Sequence, residues 1–370
     1  MNFLERIFRF VRESGSRPVL QEMRDGEVIA ATGRDLLEAI QTARAFLREA
    51  GLKKGDRCAL VAPNSIRWAA LDLAVIAEGG IVVPLYHRQA PEELVAMMKD
   101  ASPALLCCGD EALRSGILAA WLDAPRACLL EEVFAPANAA PPEDPCALAY
   151  SDPVAIIYTS GTSGEPKGVV LSVGNLNHML RCTTARLDLL AGLRTEPERV
   201  FHYLPFCFAG SWILLLSCLS RNSILSLSTD LSKVAAEMRL ASPDYFMNVP
   251  LMLERMRARI EEQLRQRGRI LWWLFRNGER AWLRRYDGGE STLGSFWQRI
   301  ARALIFPAIR KRLGPNLKAL ICGSAPLARE TQLFFMMLGL SVLQVYGLTE
   351  TTAICTMDHP QGIEPGYVGP

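Results

Sequence analysis

The stretch YTSGTSGEPKG, Tyr158 to Gly168, contains three glycines, four Ser and Thr hydroxyls and one lysine within eleven residues. It lies between two apolar runs, VAIIY (154–158) and GVVL (168–171), and each run is typical of a buried strand. The glycine-rich stretch is therefore predicted to be a loop that joins two strands.

The composition of this loop suits an anion. Glycines allow successive backbone N–H groups to turn inward as a nest, and hydroxyls add donors around phosphate oxygens. Lys167, at the far end, can reach terminal phosphates. A Walker A loop is excluded, because that motif needs Gly-Lys-Ser/Thr at the start of a helix, whereas Pro166 precedes Lys167 here and Gly168 follows it. From composition alone, an ordinary flexible turn stays open as the alternative.

The overall composition excludes several classes of function. A formal charge of +2 over 370 residues does not indicate a general nucleic-acid binder. Ten scattered cysteines and four histidines lack the spacing of a zinc site, and we expect buried, reduced thiols. No apolar run approaches the roughly 18 residues of a membrane span. We expect a cytoplasmic protein.

Helical and strand-like patterns alternate along the chain. LLEAIQTARAFLREAG (36–51) reads as a helix closed by a glycine, and IVVPLY (81–86) as a strand. PEELVAMMKDA (91–101) reads as the next helix, and residues 251–312 as almost entirely helical. Such alternation predicts an α/β fold with mainly parallel sheets.

The loop resembles the phosphate-binding signature of the adenylate-forming (AMP-binding) superfamily, which includes acyl-CoA synthetases, luciferases and peptide-synthetase adenylation domains. Residues 159–164 and 166–168 fit the signature, and Glu165 occupies its variable position. The resemblance implies that this loop holds the phosphates of ATP.

Two further segments resemble motifs of the same superfamily. In VYGLTET (345–351), the resemblance implies that Tyr346 stacks on adenine, Thr349 contacts the α-phosphate and Glu350 ligates magnesium. A lone glutamate beside a hydroxyl also suits Mg²⁺ on physical grounds. ICGSAPL (321–327) is similar to the turn whose backbone lines the adenine pocket.

The resemblance implies a complete set of site residues. Thr159, Lys167 and Glu350 would be catalytic, and Thr159 and Glu350 would hold Mg²⁺. The expected ATP- and AMP-binding residues are Thr159, Ser160, Gly161, Thr162, Ser163, Gly164, Lys167, Gly323, Ser324, Ala325, Pro326, Gln344, Val345, Tyr346, Gly347, Leu348 and Thr349.

The whole chain is similar to the large N-terminal domain of these enzymes, most of all to long-chain fatty acyl-CoA synthetases. The implied fold has two packed αβαβα-type subdomains, 1–175 and 176–350, followed at 351–370 by the start of a small β subdomain. The family's mobile C-terminal domain has no counterpart in this sequence. We therefore expect a shortened chain with weak turnover, although a naturally incomplete chain is the alternative.

YLPFCFAGSW (203–212) is similar to the segment that borders the acyl pocket in the family. Phe208 stands where relatives usually have histidine, which makes the pocket more apolar, as an alkyl chain requires. Trp212 falls where some long-chain enzymes place an aromatic gate, and a core tryptophan is the alternative. A second departure is Val173, which replaces another family histidine, whereas Asn175 is retained.

The segment from Arg255 to Arg285 mixes ten arginines with three tryptophans. One interpretation is peripheral docking at the inner membrane surface, with tryptophan at the interface and arginine on anionic headgroups. We favour the alternative, a solvated helix whose arginine stems cover the acyl pocket. His178 and His202 are expected to be structural or on the surface.

The resemblance implies a reaction in two steps. A medium- or long-chain carboxylate attacks ATP to give acyl-AMP and pyrophosphate, and CoA then forms the thioester. The implied partners are ATP, Mg²⁺, a fatty acid and CoA, with the CoA site largely in the C-terminal domain. A fatty acyl-AMP ligase with another acceptor, or a non-catalytic nucleotide- or acyl-binding module, stays open as the alternative.

Overall fold

The computed structural model describes residues 1–24, 26–135, 144–160, 166–192, 195–289 and 292–369. Helices alternate with strands that are mostly parallel, so the predicted α/β class is confirmed. Residues 251–312 are helical over nearly all of their described length, also as predicted.

The helices differ widely in length. They are α1 (Phe3–Ser14), α2 (Gly33–Glu49), α3 (Ile66–Ala77), α4 (Pro91–Ala101), α5 (Glu111–Ala120), α6 (Leu130–Val133), α7 (Val173–Ala191), α8 (Ala209–Cys218), α9 (Val234–Ala241), α10 (Pro250–Gln266), α11 (Arg269–Tyr286), α12 (Thr292–Ile300), α13 (Phe306–Leu313) and α14 (Arg329–Met337). A π-helical stretch, Ala301–Ile305, joins α12 to α13, and a 3₁₀ turn spans Thr349–Thr351.

The strands are short, and most of them are buried. They are β1 (Pro18–Arg24), β2 (Glu27–Thr32), β3 (Arg57–Val61), β4 (Ile81–Leu85), β5 (Leu105–Cys108), β6 (Ala127–Leu129), β7 (Pro153–Ser160), β8 (Pro166–Ser172), β9 (Glu198–His202), β10 (Ser223–Leu227), β11 (Tyr245–Asn248), β12 (Ala319–Cys322), β13 (Ser341–Tyr346) and β14 (Thr356–Met357).

The chain forms two compact units, each built from more than one segment. The first unit comprises Met1–Pro197, His202–Ser232 and Leu348–Ala353. The second comprises Glu198–Phe201, Lys233–Gly347 and Ile354–Pro370. The 3₁₀ turn at 349–351 therefore belongs to the first unit, although the strand before it, β13, belongs to the second.

The first unit contains a six-stranded sheet in the order β6-β5-β3-β4-β7-β8. Its strands are parallel except β8, which returns antiparallel beside β7. Met98 of α4 and Ile117 of α5 pack with Val61 and Leu106 in one buried cluster. Both faces of a parallel sheet must be covered, which explains the continuous apolar runs of β3 and β5.

The first unit also holds a three-stranded arrangement. β1 and β2 form an antiparallel hairpin, and β1 pairs in parallel with β10, which lies about two hundred residues later in the chain.

The second unit has strands in the order β14-β13-β12-β11-β9. β9, β11, β12 and β13 are parallel, and β14 pairs antiparallel with β13. The carboxyl ends of the parallel strands therefore share one edge, which is where open α/β sheets bind ligands.

Polar caps define where helices begin. Thr32 and Asp35 form a capping box at the start of α2, and Ser172 with Asn175 forms another at the start of α7. α7 thus begins directly at the end of β8. Asn175, which matches the family pattern, therefore has a local structural role as part of this cap.

The ten cysteines are unpaired, as predicted, but not all are buried. Seven are buried, among them Cys107, whose sulfur lies 3.8 Å from that of Cys58 and 3.5 Å from that of Cys128. The expectation of burial is wrong for Cys182 and Cys355, which are exposed. Among the described residues, no helix is both long and apolar enough to span a membrane.

Candidate active site

The glycine-rich stretch joins β7 to β8, as the sequence predicted. Thr159 lies opposite Lys167 in the antiparallel register, and Ser160 lies opposite Pro166. The two ends of the stretch are therefore adjacent. Gly161, Thr162, Ser163 and Gly164, with Glu165, lie outside the described residues.

Tyr158 anchors the base of this hairpin. Its hydroxyl donates a hydrogen bond of 2.5 Å to Asp100 Oδ2, at the end of α4. Burial, followed by the hydrogen bond to Asp100, raises the pKa of the Tyr158 phenol, so it stays a donor. The Tyr158 ring lies over Gly168: a Cβ there would stand 2.8 Å from Ile156 Cγ2 and 3.1 Å from Tyr158 Cζ. Glycine at this position lets the ring close over the opposite strand.

The 3₁₀ turn that carries Glu350 lies against β8, within the first unit. The turn is closed locally, because the backbone N–H of Leu348 donates to Thr351 Oγ1 over 3.1 Å and Ala353 N–H donates to the Leu348 carbonyl over 3.0 Å. Because the turn lies against β8, Thr349 and Glu350 are close to the strand that begins with Pro166 and Lys167. Two motifs far apart in the sequence meet in one unit.

The described side chains of this region are available to a ligand. Lys167 and Glu350 are exposed and Thr159 is half-buried. Within the described ranges, neither Lys167 nor Glu350 forms an ion pair. A lysine and a hydroxyl on one hairpin, with a carboxylate on a turn that lies against it, are the groups that a polyphosphate and its counterion require.

The donor set fits Mg²⁺ held jointly with phosphates. No group of three or more His, Cys, Asp or Glu side chains among the described residues could hold a metal ion alone. Mg²⁺ typically takes only one or two protein carboxylates, and substrate phosphates and water complete its shell. Glu350 supplies one such carboxylate, and the Thr159 hydroxyl is the second ligand that the sequence predicts.

The second unit gathers the predicted adenine-side residues at one strand edge. β12 and β13 are parallel with Cys322 opposite Gln344, so the turn after β12 (323–326) leaves the edge of the sheet at which Tyr346 ends β13 and Gly347 follows. Ser324, Ala325 and Pro326 are exposed, and the Tyr346 side chain is 53% exposed. An aromatic ring beside an exposed turn is suited to stacking against a flat ligand.

Gly323 is required by close packing at this edge. A Cβ on Gly323 would stand 2.4 Å from Val345 Cγ2 and 3.1 Å from the Val345 carbonyl oxygen. The Gly323 N–H also donates to the Asn248 carbonyl over 3.2 Å. The turn is thus fixed to both neighbouring strands, β11 and β13.

Gln344 faces the interior of the second unit. Its amide nitrogen donates to Gln332 Oε1 over 2.9 Å and to the Tyr367 carbonyl over 3.0 Å. Its backbone N–H donates to Asp358 Oδ2, whose other oxygen accepts the N–H of Gly369. These bonds hold β13 in place, and nucleotide contact by Gln344 stays a prediction.

The two predicted acyl-pocket residues lie in the first unit, in contrasting environments. Phe208 is 49% exposed, and its ring centroid lies 5.9 Å from that of Tyr86. Trp212 is fully buried, and its indole N–H lies 3.1 Å from both carboxylate oxygens of Asp72. This is the environment of a core tryptophan, and the gate role of Trp212 stays a prediction.

Asn64 fixes the segment that leads to Phe208. Its amide donates to the Leu204 carbonyl over 2.8 Å, and its Oδ1 accepts the N–H of Phe206 over 2.9 Å. Phe206 also packs on Trp68 and stacks on His202. Sequence analysis assigned Asn64 no role, because its two partners lie 140 and 142 residues further along the chain and no local pattern indicates them.

Two buried ionisable groups of this region are perturbed. Burial raises the pKa of Asp72 to about 7, an effect that the Trp212 hydrogen bond partly offsets. Burial lowers the pKa of His202 to about 3, so its imidazole is neutral, in line with the structural role predicted for it. The signal for Asp72 was visible as one carboxylate inside the apolar run WAALDLAVIA.

The chain matches the family model described as AMP-binding enzyme over residues 7–370. It is 24% identical over 388 aligned residues to the long-chain-fatty-acid–CoA ligase FadD15 of Mycobacterium tuberculosis, covering 100% of this chain and 64% of that protein. It is 26% identical to the long-chain-fatty-acid–CoA ligase ACSBG1 of Homo sapiens, covering 88% of this chain and 48% of that protein. The chain spans less than two thirds of either relative.

Solved structures share the fold. The N-terminal domain of FACL13 from Mycobacterium tuberculosis superposes with a TM-score of 0.71 at 18% identity, covering 98% of this chain and 79% of that one. The o-succinylbenzoate CoA synthetase MenE of Bacillus subtilis, in complex with its acyl-adenylate, gives a TM-score of 0.70 at 17% identity, covering 97% and 61%. At these identities the likeness establishes architecture alone. Since the family model covers nearly the whole chain, this protein belongs to the AMP-binding enzyme family.

Proposed function

We propose that this chain carries the adenylation site of a fatty acid–CoA ligase. It would activate a medium- or long-chain carboxylic acid with ATP to acyl-AMP, which the complete enzyme passes to CoA. The observation that carries this proposal is the contact between the Glu350 turn and β8, the strand that begins with Pro166 and Lys167. The Glu350 turn thus lies against the same hairpin on which Thr159, with its hydroxyl, and Lys167, with its ammonium, are opposite each other.

The chemistry requires charge neutralisation more than proton transfer. A carboxylate oxygen forms a bond to the α-phosphorus, and the bond from that phosphorus to the oxygen bridging the β-phosphate breaks, which releases pyrophosphate. The substrate carboxylate is already ionised, so no general base is needed. Mg²⁺, when bound by Glu350 and Thr159, supplies positive charge to the phosphates. Lys167 places its ammonium where charge develops on the leaving group.

The nucleotide base is assigned to the edge formed after β12 and β13. Tyr346 offers a half-exposed ring, and the 323–326 turn offers backbone groups beside it. Thr349 follows Tyr346 by three residues in the sequence, the order that the family resemblance implies for the residue that stacks on adenine and the residue that contacts the α-phosphate.

The fatty-acid assignment has two supports. The relatives FadD15 and ACSBG1 are both named long-chain-fatty-acid–CoA ligases. In this chain the apolar ring of Phe208 is half-exposed and lies next to the ring of Tyr86. The faces of two aromatic rings offer contact to an alkyl chain but no hydrogen bond to a polar substrate.

The experiment is ATP–pyrophosphate exchange measured with saturated carboxylic acids of increasing length. Exchange that needs both Mg²⁺ and an acid, and that rises with chain length, is expected. Glu350→Gln and Glu330→Gln form a matched pair, because each removes one exposed carboxylate and Glu330 lies on α14. A loss of exchange in Glu350→Gln alone would be specific to the site, whereas a loss in both would be a general effect of charge. Exchange that prefers a short polar acid would contradict the fatty-acid assignment. Nucleotide binding without any exchange, both in this chain and in the complete enzyme, would favour a non-catalytic module.

A further inference from the structure

A helical segment of the second unit concentrates positive charge. Between Pro250 and Leu313, 15 arginines and lysines stand against 6 acidic residues, a net charge of +9. The other 306 residues carry 26 against 33, a net charge of −7. An asymmetry of this size in a nearly neutral chain indicates an anionic partner for the helical segment.

Helix α11 divides sharply into two faces. Phe275, Gly278 and Glu279 are buried, and the Phe275 ring packs against Phe306 and Phe334 of the core. The opposite face carries Ile270, Trp273, Arg280 and Arg284, which recur at helical spacing and are exposed.

The exposed face is apolar at one end. Ile270 is 77% exposed and Trp273 is 52% exposed. The Trp273 ring lies 4.9 Å from that of Trp297 on α12, which in turn lies 5.1 Å from Phe296, itself 53% exposed. The three rings form a continuous aromatic patch across two helices, and Ile270 lies about one turn before Trp273 on the same face of α11.

Free cations surround this patch. Arg280 lies two turns after Trp273 on the same face, Arg299 lies one turn after Phe296, and Arg302 follows on the π-helical stretch. In the part of the chain that the structure describes, Arg280, Arg299 and Arg302 form no ion pair. By contrast, Arg257 and Arg276 are paired, with Glu261 and Glu279.

We propose that this aromatic–arginine surface, made of Ile270, Trp273, Arg280, Phe296, Trp297, Arg299 and Arg302, docks on the headgroup region of an anionic lipid bilayer. Half-exposed tryptophan and phenylalanine are suited to the boundary between headgroups and acyl chains, and the flanking guanidinium groups to anionic headgroups. A nucleic acid would satisfy the arginines but would leave Ile270 and Phe296 without an apolar partner. From the sequence we favoured a solvated helix whose arginine stems cover the acyl pocket, and the exposed aromatic patch is the observation that leads us to propose the membrane surface instead.

The surface is independent of the adenylation chemistry, so it is tested by binding. The intact chain would be floated with vesicles of phosphatidylcholine, with and without phosphatidylglycerol, at low and high salt. We expect binding to the anionic vesicles only, weakened by salt.

Two double variants test the two components separately. Arg280→Glu with Arg299→Glu, and Trp273→Ser with Phe296→Ser, should each weaken binding by at least about 10-fold. The matched controls are Arg9→Glu, an exposed arginine of α1, and Leu122→Ser, a leucine that is 96% exposed in the first unit. Both controls should bind as the wild type does, and unchanged circular dichroism would show that all variants fold.

Three outcomes would overturn the proposal. The first is equal binding to neutral and anionic vesicles. The second is binding that both double variants leave unchanged. The third is that another partner occupies the surface. This would be shown if the chain bound DNA more tightly than vesicles, or if it sedimented as a dimer that the Trp273→Ser and Phe296→Ser double variant dissociates.

Discussion

The hydroxyl of Tyr158 lies 2.5 Å from the carboxylate of Asp100, so the last turn of α4 is tied to the first residue of the glycine-rich stretch. The same ring lies on Gly168, the last residue of that stretch. One side chain therefore sets both ends of the hairpin on which Thr159 and Lys167 lie opposite each other. We infer that Tyr158 is a positioning residue for the proposed phosphate site.

Replacing Tyr158 with phenylalanine should loosen the hairpin while the core stays packed. Loss of one hydrogen bond to a carboxylate is expected to lower the free energy of unfolding by about 1 kcal/mol. The affinity for ATP should fall by roughly 5-fold and that for AMP should hardly change, because the hairpin is assigned to the outer phosphates. Titration calorimetry with both nucleotides measures the difference.

Tyr150→Phe is the control for that variant. The Tyr150 side chain is 67% exposed, and its hydroxyl makes no hydrogen bond among the described residues. An equal loss of ATP and AMP affinity in Tyr158→Phe would show a general structural effect and would remove the positioning role.

Gly323→Ala should damage the adenine-side edge through a steric clash. The new methyl group would stand 2.4 Å from Val345 Cγ2, and overpacking of this kind costs about 1–3 kcal/mol. Val345→Ala removes that atom, so the double variant should be more stable than Gly323→Ala alone. Urea denaturation of the four proteins in the cycle measures the coupling. Additive effects of the two changes would show that the clash does not occur.

The local patterns of the sequence predicted the elements well. Pro91 begins α4, α2 ends two residues before Gly51, and the strands on either side of the glycine-rich stretch form the expected hairpin. These features depend on neighbouring residues only, so periodicity, caps and breakers identify them. The β1–β2 hairpin, which was not predicted, also had a local signal, since Asp25-Gly26 separates its two strands.

Contacts between residues far apart in the chain could not be predicted from local sequence patterns. Nothing near β1 indicates that it pairs with β10, and nothing near Tyr158 indicates Asp100 as its acceptor. That the 349–351 turn and β8 serve one site was expected only from the resemblance to a family, and the contact between them is long-range. The burial of Trp212 against Asp72 likewise depends on how α8 packs on α3, which no local pattern specifies.

Asp72 should make the stability of the chain fall as pH rises. Its pKa is about 7 in the folded chain, against a model-compound value of 3.8, so the folded state holds a proton that the unfolded state loses. This contribution is present below about pH 4 and is lost by about pH 7. Asp72→Asn keeps an acceptor for Trp212 and removes the titration. As pH rises between these values, the free energy of unfolding of the variant should therefore increase relative to that of the wild type by up to about 4 kcal/mol.

His202 should act in the opposite sense. Its pKa is about 3 in the folded chain against 6.5 in a model compound, so its contribution is present above about pH 6.5 and is lost as pH falls toward 3. Between about pH 4 and pH 6.5 the two groups offset each other in the wild type. Unfolding by urea across this range should show stability that rises with pH in Asp72→Asn and falls with pH in His202→Gln. Parallel curves for the wild type and both variants would contradict the two assignments.

We propose above all that Glu350 and the β7–β8 hairpin together hold Mg²⁺ and the phosphates of ATP. The most direct test of this proposal is calorimetric titration of ATP, with and without Mg²⁺, into the wild type, Glu350→Gln and Glu330→Gln. We predict that Mg²⁺ strengthens ATP binding by at least about 10-fold in the wild type and in Glu330→Gln, and that Glu350→Gln loses this gain while its affinity for AMP stays unchanged. If Glu350→Gln bound ATP with Mg²⁺ as tightly as the wild type, the site proposed for this protein would be contradicted.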